Sequence, residues 1–270
     1  MIKKKIKLYY KILVQSFFKI LYGTVLLTRN IDNLIKKEKI ESTKFKSFKN
    51  KHYNLYKVKN ARIYTDNNQN VAIIKKNFIL PFVSFQQVKG NLRKPAYNSV
   101  IKIGTPSFLK RIKGRVFNLC QGGSGNNYFH FLFDIITKLK IYQEKFSLNE
   151  IDYFYVPGVK TWQKKILSLF EIYEDRLIDS SNYRHLKGTE IIAVDHPWYK
   201  KGFVQQEIQN LPEWIIFFLR DKFLKLKKKF KVSKKIFIDR SDSVYSHCKL
   251  INNQKVIEYL ETKGFKSYQY

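Results

Sequence analysis

The densest set of chemistry-bearing residues in the chain is Asn126-Asn127-Tyr128-Phe129-His130-Phe131-Leu132-Phe133-Asp134. His130 and Asp134 are spaced i, i+4, which on a helix puts them on one face within reach of each other. The residues between them are apolar, so the helix is expected to be largely buried, and two ionisable groups there are costly unless paired. Paired, the carboxylate orients the imidazole and supports its cationic form, and the unit can take a proton from a hydroxyl as a general base. A hydrogen-bonded helix histidine beside an exposed aspartate has the same spacing and is the plainer alternative.

Gly122, Gly123 and Gly125 stand just before this helix and just after a β-type run, Arg115 to Cys120. Backbone N–H groups in a glycine loop between strand and helix can nest a phosphate. Gly123, Gly125, Asn126 and Asn127 therefore form a candidate phosphate or acceptor loop. The pattern is neither a dinucleotide fingerprint nor a Walker A loop, and a flexible turn capped by Ser124 or Asn126 accounts for the same residues. Arg240 follows the run Lys235-Ile236-Phe237-Ile238-Asp239, at the carboxyl end of an expected strand, where α/β sheets bind ligands. A guanidinium there can grip a pyrophosphate with two parallel bonds, unless Asp239 or Asp242 takes it as a surface ion pair. His130, Asp134, Asp195 and His196 lack H-E-x-x-H spacing, and no metal or other cofactor is expected. Cys120 with His130 would suggest a thiol nucleophile, but a cysteine ending a β-type run is expected to be a buried apolar residue.

The elements that must position these groups alternate. Ile151 to Val156 reads as a strand, Thr161 to Tyr173 as an amphipathic helix, Glu190 to Val194 as a strand and Leu211 to Lys229 as a long helix. Lys235 to Asp239, Asn253 to Lys263 and Phe265 to Tyr270 read as one strand-helix-strand unit, its helix closed by Gly264. Strands alternating with helices predict an α/β fold with a mainly parallel sheet. Upstream, Val71 to Ile74 and Phe78 to Phe82 are short β-type runs that Lys75-Lys76-Asn77 can join as a hairpin, and residues 30 to 60 read as a solvated helix or linker.

A chain of 270 residues suits one large domain or two modest ones. With 44% hydrophobic residues it is no disordered chain, and Cys120 and Cys248 alone cannot make a disulfide scaffold or a four-cysteine zinc site. The net charge of +31 predicts an acidic partner: nucleic acid, an anionic membrane or a phosphorylated substrate. AT-rich coding DNA, which enriches Lys, Ile, Asn, Tyr and Phe together, produces part of the same bias. Residues 1 to 60 carry fifteen Lys and one Arg against Asp32, Glu38 and Glu41. Within them Ile6 to Thr28 is apolar and aromatic with scattered lysines, too interrupted for a membrane span, and suits a helix lying in a membrane interface or packing on the domain core. The lysine cluster from Lys222 to Lys235 reads as a solvated helix face and linker.

Taken together, Gly125 to Asp134 and, about a hundred residues later, Lys235 to Ser243 resemble glycosyltransferase family 61, in which an N-Y-x-H-W-x-x-D helix precedes an I-x-R-x-D/S strand end. Lys249-Leu250-Ile251-Asn252-Asn253 and Gly264-Phe265 stand where that family has R-x-x-x-N-E and G-F, and the likeness spans roughly Val116 to the end of the chain. It departs from the pattern at Phe131 for Trp, Lys249 for Arg and Asn253 for Glu. The resemblance implies a GT-B-like α/β fold with Rossmann-like lobes and inverting, metal-independent sugar transfer from a nucleotide sugar, with bacterial members serving capsular polysaccharide or lipopolysaccharide biosynthesis. It implies His130 and Asp134 near the reacting hydroxyl, Asp134 the favoured base and the reverse assignment open, with Arg240 and Asn252 at the donor diphosphate. Family members continue into an H-G-A-G-x-x-N-type loop that this chain ends before, so the second lobe is expected to be incomplete and an inactive fragment is one of the expectations. The expected division is a basic amphipathic helix and linker over 1–60, an acceptor lobe over 61–230 and the start of a nucleotide-sugar lobe over 231–270. The expected partners are a nucleotide sugar, a glycan or lipid-linked acceptor and an anionic membrane surface, at the cytoplasmic face of the inner membrane. The rival reading is a non-enzymatic basic protein that binds membrane or nucleic acid. The chain shows no helix-turn-helix, zinc or RNP-type motif, and nucleic acid is not expected.

Overall fold

The structure is a computed structural model and describes residues 2–28, 30–38, 40–47, 51–66, 69–89, 91–121, 127–199, 203–225, 233–239, 241 and 250–269. The chain is mixed α/β and divides into two compact units, Met1–Leu219 and Arg220–Tyr270.

The larger unit opens with helix α1 (Ile2–Tyr22) and the short α2 (Ile31–Lys37), which Asn30 caps by accepting the Asn33 N–H. Two antiparallel strands follow, β1 (Glu41–Ser47) and β2 (Lys51–Lys59). They correct the expectation of a solvated helix or linker over residues 30 to 60. In β2 the residues Tyr53, Leu55, Tyr56 and Val58 are buried while His52 and Lys59 stay exposed. Burial on both faces replaces clean alternation, and the dense lysines hide the strand pattern.

The chain then forms β3 (Arg62–Thr65), β4 (Asn70–Lys75), β5 (Phe78–Ile79), β6 (Phe85–Val88), β7 (Asn91–Leu92), α3 (Ser99–Ile103), β8 (Leu109–Arg111) and β9 (Arg115–Asn118). A helical run from Tyr128 to Gln143 comes next: α4 (Tyr128–His130), a π-helical segment (Phe131–Ile136) and α5 (Thr137–Gln143). After it come β10 (Tyr153–Val156), α6 (Thr161–Ser168), β11 (Leu177–Asp179), β12 (His185–Lys187), β13 (Glu190–Val194), α7 (Val204–Glu207) and α8 (Glu213–Leu224). Helix α6 stops short of the expected Tyr173, and Glu171 beyond it takes a left-handed conformation (φ 60) that no helix continues through.

One sheet has the order β1-β2-β13-β9-β10-β11, and its strands β13, β9, β10 and β11 are parallel. The second, β7-β6-β4-β3-β12-β8 with β5 beside β4, is antiparallel apart from the β12–β8 pair. The mainly parallel sheet expected from the alternation is therefore half of the unit. Local hairpins build the other half, among them β4–β5, which turns at Lys76 (φ 51).

Period two decides which core each side chain joins. Ile63, Val71, Ile73 and Leu186 of the second sheet meet Val116, Tyr155, Ile191 and Ala193 of the first in one cluster. Their strand neighbours Tyr64, Ala72 and Ile74 point the other way and pack with Val25, Ile79 and Val100. On the outer face of the parallel sheet Phe117 lies against Tyr142 of α5, ring centres 5.2 Å apart. Each large apolar side chain buried in this way contributes about 1.5–3 kcal/mol.

Beyond the end of α8, the described residues of the smaller unit form a βαβ: β14 (Ile236–Asp239), α9 (Asn253–Thr262) and β15 (Lys266–Gln269), with the two strands parallel. Gly264 closes α9 at φ 79, its N–H reaching Glu261 O at 2.9 Å while the Phe265 N–H reaches Leu260 O at 3.1 Å. That pair of bonds is a Schellman end and needs a residue free to adopt positive φ.

Candidate active site

In the parallel sheet the chain runs β9, β10, β11 to one side and then returns as β13 on the other side of β9. The order reverses between β9 and β13, and a crevice outside the carboxyl ends of such strands is where open α/β sheets take ligands. Two segments leave the sheet there: Leu119 onward, leading to the helix at Tyr128, and Asp195 to Tyr199. Both carry site residues.

The expected pair forms. His130 Nδ1 and Asp134 Oδ2 are 2.8 Å apart. The expected regular α-helix gives way to a π segment from Phe131 to Ile136, a local widening that recurs at functional sites. Its apolar side chains explain the burial, and Asp134 itself is 0% exposed. Asp134 Oδ1 accepts the indole N–H of Trp198 at 2.8 Å. His196 comes from the same segment as Trp198, and its Nε2 lies 3.7 Å from Asp134 Oδ2. His196 Nδ1 accepts the backbone N–H groups of Trp198 (3.3 Å) and Tyr199 (2.8 Å). That fixes the tautomer with the proton on Nε2, on the side of the ring near the carboxylate but beyond hydrogen-bond reach of it. Burial lowers the His196 pKa against the pull of Asp134. Burial alone would raise Asp134, but His196 and the hydrogen bond from His130 outweigh it, and the carboxyl stays ionised well below its ordinary range.

Lys138, one helical turn beyond Asp134, is 2% exposed. Its Nζ donates to Gln121 Oε1 at 2.9 Å and to Cys120 O at 3.3 Å, tying the exit of β9 to the helix. Burial pushes its pKa down to about 8, with Asp134 resisting. The site thus holds one buried anion and one buried cation. Burial pushes the Cys120 thiol up to about 12, the opposite of what a nucleophilic cysteine needs. Asp195 turns to β2, where its Oδ2 accepts the Asn54 N–H and side-chain amide at 2.8 Å each. Among the described residues no group of three His, Cys, Asp or Glu side chains is arranged to hold a metal ion.

Asn127 of the candidate loop is the helix cap: its side chain accepts the His130 N–H at 3.1 Å. This replaces Ser124 and Asn126, the caps expected from sequence. Gly123, Gly125 and Asn126 lie outside the described residues, as does Arg240. Asn252 stands exposed before α9, and its neighbour Asn253 makes the contact to Asp239 instead, at 3.0 Å. Trp198 and Lys138 were not among the residues expected from sequence, and His196 entered only as a metal ligand. A shallow recess of about 400 Å³ at the amino ends of β10 and β11 involves Asp152 and Arg176, which are bonded to Arg115 N–H and to the Leu148 carbonyl, so it reads as part of the scaffold.

Compared with models of known protein families and with curated proteins, the chain has no match.

Proposed function

We propose that the protein is an inverting glycosyltransferase that moves a sugar from a nucleotide sugar to a hydroxyl of a cell-envelope glycan or lipid-linked acceptor. The observation that carries this reading is the His130–Asp134 pair, bonded at 2.8 Å beside the point where strand order reverses. The motifs resembling glycosyltransferase family 61 supply the substrate class, and a GT-B-like pair of lobes belongs to the same reading, as does work at the cytoplasmic face of the inner membrane.

Of the two assignments open from sequence, burial favours His130 as the base. Asp134 has one oxygen on Trp198 and the other on His130, and no exposed surface with which to meet an acceptor. It acts as a positioning residue: it fixes Nδ1 of His130 and so presents Nε2. The acceptor hydroxyl gives its proton to His130 Nε2 as its oxygen bonds to the anomeric carbon, and the bond from that carbon to the diphosphate oxygen breaks. Charge gathers on the leaving diphosphate, where the resemblance sets Arg240. The surplus of cations, +31 overall, draws an anionic donor in.

The test is a panel of UDP-, GDP- and dTDP-sugars offered with envelope lipid extract, following nucleoside diphosphate release. Release with at least one donor, dependent on the extract, is expected. Release that is independent of any acceptor, or none with the whole panel, would overturn the reading.

A further inference from the structure

Helix α1 has an apolar face that no other described residue covers. Ile6, Tyr9, Leu13, Phe17 and Ile20 follow one another at spacings of three and four, so they line one side of the helix. They are 63%, 67%, 69%, 52% and 87% exposed. The opposite side holds the helix in place. Phe18 is buried with its ring edge-on to Phe108 at 5.0 Å. Tyr22 meets His185 edge-on at 4.8 Å, and its hydroxyl accepts the Leu109 N–H at 2.9 Å. The body of the larger unit thus fixes the rotation of α1 and turns its apolar side outward.

We infer that this face docks in the headgroup layer of an anionic membrane. The charge pattern selects that occupant. Lys4, Lys7 and Lys11 run along the side away from the apolar row, Lys3 and Lys5 flank it, and the helix contains no acidic residue. A helix lying in the interface puts its apolar side among the acyl chains and lets lysines reach up to lipid phosphates. Spanning is not open to it, because no helix among the described residues is long and apolar enough to cross a membrane. A second copy docked on the apolar row would cover it but leave Lys4, Lys7 and Lys11 on the outer side with no acidic residue on either helix to meet them. Nucleic acid would satisfy the lysines and leave the apolar row in water. The inference stands on α1 and not on the His130–Asp134 pair, so it fails or survives separately from the sugar-transfer reading.

The test is co-flotation of the full chain with phosphatidylglycerol and with phosphatidylcholine vesicles. Binding to the anionic vesicles, falling as salt rises, is expected. Leu13→Glu with Ile20→Glu changes only exposed positions and should weaken partitioning about tenfold or more. Lys4→Gln with Lys7→Gln and Lys11→Gln should remove the preference for the anionic lipid. Undiminished flotation of the doubly acidic variant would overturn the proposal. So would a dimer in light scattering that the same two substitutions dissolve, or oligonucleotide binding with no vesicle binding. Unchanged thermal unfolding checks that each variant folds, and the lysine variant keeps the question decidable if the acidic one does not.

Discussion

Asp134 and Asp239 are both carboxylates withdrawn from water, 0% and 2% exposed, the first in the π segment of the helical run and the second at the carboxyl end of β14. Their surroundings differ in kind. Asp239 accepts the Ser241 N–H (2.9 Å), the Ser241 hydroxyl (2.9 Å), the Asn253 amide (3.0 Å) and the Gln269 amide (3.4 Å). Those neutral donors come from the loop, α9 and β15, and they lower its pKa, the Ser241 N–H most of all. None of them changes protonation near neutral pH. Asp134 is bonded instead by an imidazole and an indole and faced by a second imidazole. Asp239 knits a βαβ unit together. Asp134 is coupled to groups that can take up a proton, and one of those groups, His130, is partly exposed. A buried carboxylate marks chemistry when its donors titrate and scaffolding when they do not.

The widest gap between the two should show in turnover. Asp134→Asn keeps the shape and can still accept from Trp198, but removes the charge that orients His130, and transfer should fall about 10²-fold or more, within the range of general-base contributions. Asp239→Asn should instead speed hydrogen exchange of the β14 and β15 amides and leave those of β9 and β13 protected. Equal exchange in both sheets would break the contrast. In stability, Asp134→Ala strands His130 and Trp198 around a lost anion and leaves Lys138 buried without it, which costs about 3–5 kcal/mol. Urea unfolding measures it. Trp198→Phe removes one hydrogen bond to that charge and costs about 1.5–3 kcal/mol by the same measurement. A separate effect lies in pH dependence. Lys138 keeps its proton to 10.5 in the unfolded chain but only to about 8 when folded. Between those values the unfolded state holds more protons, so this residue makes stability rise with pH. Lys138→Met should flatten that rise relative to the parent in unfolding series across the window.

Much of this was legible in the residues. The spacing of His130 and Asp134 gave their contact, because four residues along a helix is a local relation. The run RVFN, the strands near Tyr153–Val156 and Glu190–Val194 and the glycine-closed helix of the small unit followed from apolar patterning and turn chemistry, whereas β11 and β12, three residues each, are too short to leave such a pattern. What escaped was set by distance along the chain or by competition between signals. Trp198 reaches Asp134 across 64 residues, a contact that only the pairing of β13 with β9 creates. Lys138 breaks the rule that lysines face water and is tolerated only beside Asp134 and two oxygen acceptors. β1 and β2 were masked by lysines that a strand can hold at its exposed positions. The π segment leaves no trace in FLFDII, since its sequence suits an α-helix equally well.

The central claim is that a buried, ionised Asp134 presents His130 as the base for sugar transfer. Its most direct test is the rate of nucleoside diphosphate release by His130→Ala against the parent chain, with the best donor and an acceptor at saturation. A fall of about 10²- to 10⁴-fold, with donor binding retained, is the predicted result. Turnover at the parental rate would contradict it.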